Sequence, residues 1–215
     1  MSNAHFISIE GIDGAGKTTQ ARFLKEYLEK KWIKVHWTRE PGGTPVGEKL
    51  RAIVLGDEMK AETELMLFFA ARVEHIESVI KPCLVNNEWV ISDRFSDATY
   101  AYQVGGKGLD VDRVHELERV AIQGYQPDRT YYLDMTYEQS RERLLERARA
   151  QGLGAEAAEH DRFEKMGRDF FERVRAAYLA RCDAFPERIL KIDANDSIEA
   201  IHETIIKDLE EKGWL

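Results

Sequence analysis

Cysteine is scarce, long apolar runs are missing, and basic charge is in deficit. Cys83 and Cys182 are the only cysteines among 215 residues. Two thiols cannot build the disulfide framework of a small secreted domain, and their separation matches no metal-ligand spacing. They are expected as buried or half-buried thiols. No apolar run nears the roughly 18 residues of a membrane span. The N-terminus lacks a basic region followed by an apolar block, so no secretory signal is expected. Lys plus Arg number 31 against 39 Asp plus Glu, a net charge of −8. That balance argues against a domain built to grip a nucleic-acid backbone, which usually carries a basic excess. It leaves room for a local basic pocket around a small anion. No internal repeat, low-complexity tract or linker divides the chain. With 43% hydrophobic and 33% charged residues, the composition is that of an ordinary globular chain, long enough for one domain with a full core. These features point to a soluble cytoplasmic protein, one domain over residues 1–215, with no nucleic-acid or membrane partner.

What is present is an alternation of two periodicities. Five short segments rich in β-branched and aromatic residues read as strands: His5–Glu10, Lys34–Thr38, Trp89–Asp93, Arg129–Met135 and Arg188–Asp193. Helical spacing lies between them. In Lys17–Lys31, Ala21, Leu24, Tyr27 and Leu28 share one helix face. Thr136 and Gln139 have the spacing of a capping box that opens a helix toward Arg149. Ile198, Ile201, Ile205 and Leu209 mark a last helix, entered through Asp196 with Glu199 three residues on. Strands alternating with helices predict an α/β fold, a five-stranded parallel sheet flanked by helices. Two stretches break the pattern. Pro41–Gly47, with three glycines and two prolines, is expected to be a loop without regular structure. Arg147–Arg162 is charged, Ala-rich and interrupted by Gly152 and Gly154. It reads as a helix–loop–helix connection.

The first strand runs directly into GIDGAGKT, Gly11 to Thr18, and an amphipathic helix follows. This is the G-x-x-x-x-G-K-[ST] pattern in its strand–loop–helix setting. Its glycines let backbone N–H groups turn inward around a phosphate, and the helix N-terminus adds partial positive charge. Lys17 is placed to reach the β- and γ-phosphates, and the Thr18 hydroxyl to meet Mg²⁺. A nucleoside triphosphate is therefore expected, but the reaction is left open. No guanine-binding Asn-Lys-x-Asp is present, which weakens a GTPase reading. Asp93 ends an apolar strand, where a second carboxylate near Mg²⁺ belongs. Arg94 follows it directly. A cation beside the metal site points to a second bound anion, the phosphate of an acceptor. A kinase acting on a hydroxyl acceptor would instead need a base there. A binding or switch protein with slow hydrolysis only would have no acceptor anion for Arg94 to meet.

Four motifs in order carry a resemblance that covers essentially the whole chain. They are FISIEGIDGAGKTTQ (Phe6–Gln20), TREPGGT (Thr38–Thr44), DRFSDATYAYQ (Asp93–Gln103) and DRFE (Asp161–Glu164), the last followed by a Phe-rich helix. The chain resembles the thymidylate kinase family, P-loop enzymes that phosphorylate dTMP with ATP for dTTP synthesis, and within it the bacterial type with basic residues in a short lid. The resemblance implies a P-loop kinase fold with a mobile lid at about 147–162, Mg²⁺ as the cofactor, and a homodimer. It implies an ATP cradle made by Gly11, Ile12, Asp13, Gly14, Ala15, Gly16, Lys17, Thr18 and Thr19. Thr18 and Asp93 would serve the metal. For dTMP it implies Asp13 at the sugar 3′-OH, Phe68 (with Phe69 as rival) stacked on thymine, and Arg72 donating to a thymine carbonyl. Arg51 and Arg94 would take the dTMP phosphate, and Thr99 and Tyr102 the base or sugar. Glu40, with Asp93, would order water around Mg²⁺ or position phosphates. The catalytic groups would be Lys17, Arg94 and a lid arginine.

Two departures from the family pattern stand out. Many family members carry Ser where this chain has Ala98. Ala15 occupies the P-loop position at which one branch carries a catalytic arginine. The missing charge would then come from Arg143, Arg147, Arg149 or Arg162. Arg147 and Arg149 are two apart, so on a continuous helix they point about 200° from each other. Arg149, nearer the Gln151–Gly154 break, is the expected one.

Overall fold

The computed structural model describes residues 4–153, 163 and 165–215. Five parallel strands form one sheet in the order β2-β3-β1-β4-β5, with β1 Phe6–Glu10, β2 Val35–Arg39, β3 Trp89–Asp93, β4 Arg129–Asp134 and β5 Ile189–Asp193. Each strand lies within a residue of its predicted place. The helices are α1 Lys17–Lys30, α2 Pro45–Gly56, α3 Ala61–His75, α4 Lys81–Val85, α5 Ser96–Thr99, α6 Val111–Ile122, α7 Tyr137–Ala150, α8 Arg168–Ala184 and α9 Ile198–Glu211. Two π-helical stretches intervene, Ile76–Ile80 between α3 and α4, and Tyr100–Gly106 after α5.

The alternation of side chains along the strands divides the core in two. On one face Phe6, Val90 and Phe95 pack with Leu65, Phe69, Val114 and Ile122 from α3 and α6. On the other, Ile7, Ile9, Ile91 and Leu133 pack with Leu24 and Leu28 of α1 and Ile205 and Leu209 of α9. The Ser8 and Thr130 hydroxyls meet at 2.7 Å between β1 and β4. Both cysteines are free and half buried. Among the described residues no helix is long and apolar enough to cross a membrane.

Two helix starts differ from expectation. Pro45–Gly47 is not loop but the first turn of α2. Thr44 caps it by accepting from the Gly47 N–H at 2.8 Å, and Pro45 sits in the first turn, where its missing N–H costs nothing. α9 is capped by Ser197, whose hydroxyl accepts from the Ala200 N–H at 3.2 Å, not by Asp196. The capping box of α7 is present, with Thr136 and Gln139 satisfying each other's backbone N–H groups.

The strand order sets where a ligand can sit. The chain leaves β1 toward β2 on one side and leaves β3 toward β4 on the other. The connections diverge above the carboxyl ends of β1 and β3, which opens a crevice there.

Candidate active site

One wall of the crevice is the loop after β1. Gly11 has φ 143°, and a Cβ there would stand 2.7 Å from the Leu133 carbonyl oxygen, so only glycine fits. Gly16, at φ 96°, heads α1 with no side-chain cap. The first N–H groups of α1 are thus left for a ligand, and with the helix dipole they make an anion site. Lys17 is buried and folds back over the loop, donating to the Ile12 carbonyl at 3.0 Å and to Asp13 Oδ1 at 3.3 Å. Burial and neighbouring Arg94 hold its ammonium below the usual lysine range. Ile12 and Ala15 are buried and give only backbone to the cradle, while Thr18 is exposed and Thr19 half buried.

The other wall is the turn after β3. Thr18 donates to Asp93 Oδ2 at 2.8 Å across the crevice. Arg94, at φ 70°, adopts a left-handed conformation that non-glycine residues seldom take. That turn sends its side chain back over the P-loop. Its Nη1 donates to the Gly11 carbonyl, and its Nη2 donates to Asp13 Oδ1 at 2.7 Å. The guanidinium lies 5.2 Å above the Tyr102 ring. Burial pushes the Asp13 carboxyl up, but Arg94 and Lys17 outweigh it and hold the group down at about 2. The turn is anchored below by Glu10, the last residue of β1. Glu10 is fully buried, accepts from the Phe95 N–H at 2.7 Å and from the Tyr178 hydroxyl at 2.8 Å. Burial, aided by Asp97, pushes its carboxyl up to about 8.

Beyond Arg94 the crevice widens into a cavity of about 670 Å³. Arg72 enters it from α3, only 2% exposed, with its guanidinium 5.2 Å from both the Phe69 and Phe95 rings. Its Nε donates to Glu40 Oε2 at 2.7 Å, and its Nη2 to the Phe95 carbonyl at 3.3 Å. Its Nη1 is buried and has no hydrogen-bond partner among the described residues. Such an orphan donor is costly unless a ligand accepts from it. Glu40 Oε1 faces His75 Nδ1 at 2.9 Å, and His75 Nε2 faces the Thr38 hydroxyl at 2.7 Å. Burial pushes Glu40 up, yet Arg72 and His75 more than offset it and the carboxyl stays below its ordinary range. Phe68 lines the cavity, half buried, whereas Phe69 is packed in the core. Thr99, Tyr102, Gln103 and Ala98 line the same wall, and Arg51 reaches in from α2, donating to the Pro41 carbonyl at 2.9 Å.

The predicted residues thus meet in one crevice, with two corrections. Glu40 does not stand as a free carboxylate: one oxygen holds Arg72 and the other faces His75. It orients Arg72. Arg149 is exposed and does not line the cavity; Arg147 does, from the preceding part of α7. Both side chains are exposed, and Arg147 alone of the two borders the cavity. Arg143 is occupied elsewhere, donating to the Ala194 carbonyl at 2.6 Å and the Gly14 carbonyl at 3.4 Å. Arg162, Asp161 and Glu164 lie outside the described residues, as does most of the expected lid; Phe163 lines the cavity. Two residues of the third motif have places to which the sequence alone assigned no role. Gln103 is buried at the cavity wall with its amide donating to Glu64 at 2.9 Å. Its place in a π-helical turn shifts it off any α-helical spacing that would have flagged it. Asp97, inside the third motif, is a fastener: Arg181 and Arg188 both grip it, at 2.8 and 2.7 Å.

Comparison with known proteins agrees with this geometry. The family model described as thymidylate kinase matches residues 9–205. A thymidylate kinase from Nitrosospira multiformis is 50% identical over 206 residues, covering 95% of this chain and 96% of the relative. One from Cupriavidus pinatubonensis is 52% identical over 198 residues, covering 91% and 93%. A crystal structure of thymidylate kinase from Ehrlichia chaffeensis superposes with a TM-score of 0.75 at 32% identity, covering 96% of this chain and 98% of that one.

Proposed function

The chain belongs to the thymidylate kinase family and phosphorylates dTMP, and we propose that it does so by in-line attack of a dTMP phosphate oxygen on the γ-phosphoryl of ATP. The observation that carries this reading is the sharing of Asp13 by Lys17 and Arg94. The triphosphate cradle and the acceptor-phosphate cation meet at one carboxylate. The attacking atom is already an anionic oxygen, so no general base is required. Catalysis is then positioning and charge neutralisation. Lys17 takes the β- and γ-phosphates. Arg94 leaves the Gly11 carbonyl to bridge the transferring phosphoryl and the dTMP phosphate, which Arg51 also holds. Both contacts to Asp13 go to Oδ1, and Oδ2 accepts from the sugar 3′-OH. Phe68 stacks on thymine, Arg72 Nη1 donates to its carbonyl, and Thr99 and Tyr102 close the wall around base and sugar.

The Thr18 hydroxyl and Asp93 carboxylate, 2.8 Å apart beside the P-loop, are a hard oxygen pair that fits Mg²⁺. When bound, the ion supplies charge neutralisation on the ATP phosphates. In place of an arginine at Ala15, Arg147 on α7 supplies the cation from the lid side. The chain acts as one kinase domain in the cytoplasm, as a homodimer. Met66 and Val73 stand exposed seven residues apart on α3, with Ile53 exposed on neighbouring α2, and this apolar face supports self-association.

A phosphotransfer panel of dTMP, dUMP, dCMP and thymidine with ATP tests the reading. A donor such as Arg72 cannot pair with the 4-amino group of cytosine. A wrong polar partner can cost several powers of ten, whereas one lost methyl costs about 10- to 200-fold. dTMP should lead, dUMP should be poorer, and dCMP and thymidine nearly inert. Equal turnover of dCMP and dTMP would refute the assignment of the base pocket.

A further inference from the structure

We propose that Glu10 is a positioning residue for phosphoryl transfer, acting through the backbone of Phe95 to hold Arg94 in the turn that aims its guanidinium across the P-loop. A left-handed arginine persists only when its surroundings over-determine it. Three contacts do so here. The Arg94 N–H donates to the Ile9 carbonyl at 3.0 Å and prolongs the β1–β3 ladder by one bond. The Ser92 hydroxyl donates to the Arg94 carbonyl at 2.7 Å. The Phe95 N–H, the next donor along the chain, finds only the Glu10 carboxyl, at 2.7 Å. Without Glu10 that buried N–H would lose its partner and the turn would relax toward ordinary backbone geometry, swinging Arg94 away.

Glu10 is in turn held in place. Its second oxygen accepts from the Tyr178 hydroxyl at 2.8 Å. The Tyr178 ring stacks on Tyr132 at 4.7 Å and meets Tyr102 edge-on at 6.5 Å. Tyr102 is the ring under the Arg94 guanidinium. One buried carboxyl therefore fixes both the backbone of Arg94 and, through Tyr178, the platform beneath its side chain. The charged and titratable groups around it are Arg94, Asp97 and Arg188 besides Tyr178. Burial favours the protonated carboxyl, while the Tyr178 and Phe95 hydrogen bonds favour the ionised one; in either form an oxygen is there to accept from the Phe95 N–H. Glutamine has the same shape and the same acceptor.

The inference rests on Arg94 acting on the phosphates, so the experiment is a double-mutant cycle with Arg94→Ala. Arg94→Ala alone tests that assignment; retained parental kcat would overturn the assignment rather than the coupling. Glu10→Ala should lower kcat about a hundredfold, the scale of a 1 Å misplacement, with the KM for ATP little changed. In the Arg94→Ala background the same change should cost less than about threefold, since its only route of action is gone. Glu10→Gln should lose less than about threefold, because it keeps the acceptor for Phe95. Should Glu10→Ala not fold, Glu10→Asp takes its place in the cycle, its shorter side chain drawing the carboxyl back from Phe95. Multiplicative losses in the cycle would show a general structural role and overturn the proposal. A Glu10→Gln enzyme as slow as Glu10→Ala would overturn it too.

Discussion

Replacing Arg72 with methionine should damage two properties by separable amounts. Methionine keeps the stem of the side chain between Phe69 and Phe95 and removes only the guanidinium. Glu40, 5% exposed, then keeps His75 alone as a partner. Breaking a buried ion pair from one side costs about 3–5 kcal/mol, because the other charge stays buried. His75 softens that, so a loss of about 3 kcal/mol is expected, roughly 6–12 °C in Tm for a chain of this size. The pH dependence should also change sign. In the parent, Glu40 is held below its ordinary range. Its contribution is present above pH of about 4.5 and is lost as pH falls through the depressed value. Without Arg72, burial dominates and raises the group, so the variant should lose stability as pH rises instead. Arg72→Met/Glu40→Leu removes the orphaned charge and should recover at least half of the loss. The dTMP affinity should behave differently. A hydrogen bond from a charged donor is worth about 1.5–3 kcal/mol, or about 10- to 150-fold in Kd. That loss should persist in the double variant. Urea unfolding at pH 5 and 8 and calorimetric titration with dTMP measure both. A destabilisation below about 1 kcal/mol would refute the buried-pair reasoning, and an unchanged dTMP Kd would remove Arg72 from the base pocket.

Three further outcomes are expected. Lys17→Ala should depress kcat strongly with the fold intact, since Lys17 meets charge that grows in the transition state; activity within about twofold of the parent would refute its role. Arg147→Ala should lower kcat by at least about a hundredfold at saturating ATP and dTMP, while Arg149→Ala should not; the reverse order would return the role to Arg149. Glu10, pushed up to about 8, carries a proton in the folded state that the unfolded chain releases above its ordinary value of 4.5. Between those pH values it lowers stability with rising pH, by up to about 1.4 kcal/mol per unit. Glu10→Gln should flatten that slope, and identical slopes for parent and variant would contradict the shift.

Features that depend on near neighbours and backbone conformation can be read directly from the order of residues. The P-loop was legible because its glycines, lysine and threonine work at fixed spacing within a single loop. The five strands were legible because period-2 and helical patterns are local, and the order of motifs was enough to identify the family. Boundaries failed where a cap overruled composition: Thr44 and Pro45 turned a Gly- and Pro-rich stretch into the start of α2. Which side chain answers which emerges once the helices dock on the sheet. Glu40 looked like a free carboxylate serving the phosphates or the water around Mg²⁺ until α3 brought Arg72 and His75 against it, 32 and 35 positions along the chain. Glu10 looked like the end of a strand until Tyr178, 168 positions away, closed on it. Arg147 and Arg149 have the same chemistry, and only the packing of α7 turns one of them to the cavity. A buried charge takes its role from the partners that pay for its desolvation, and those partners are set by how helices dock on the sheet, which no local spacing records.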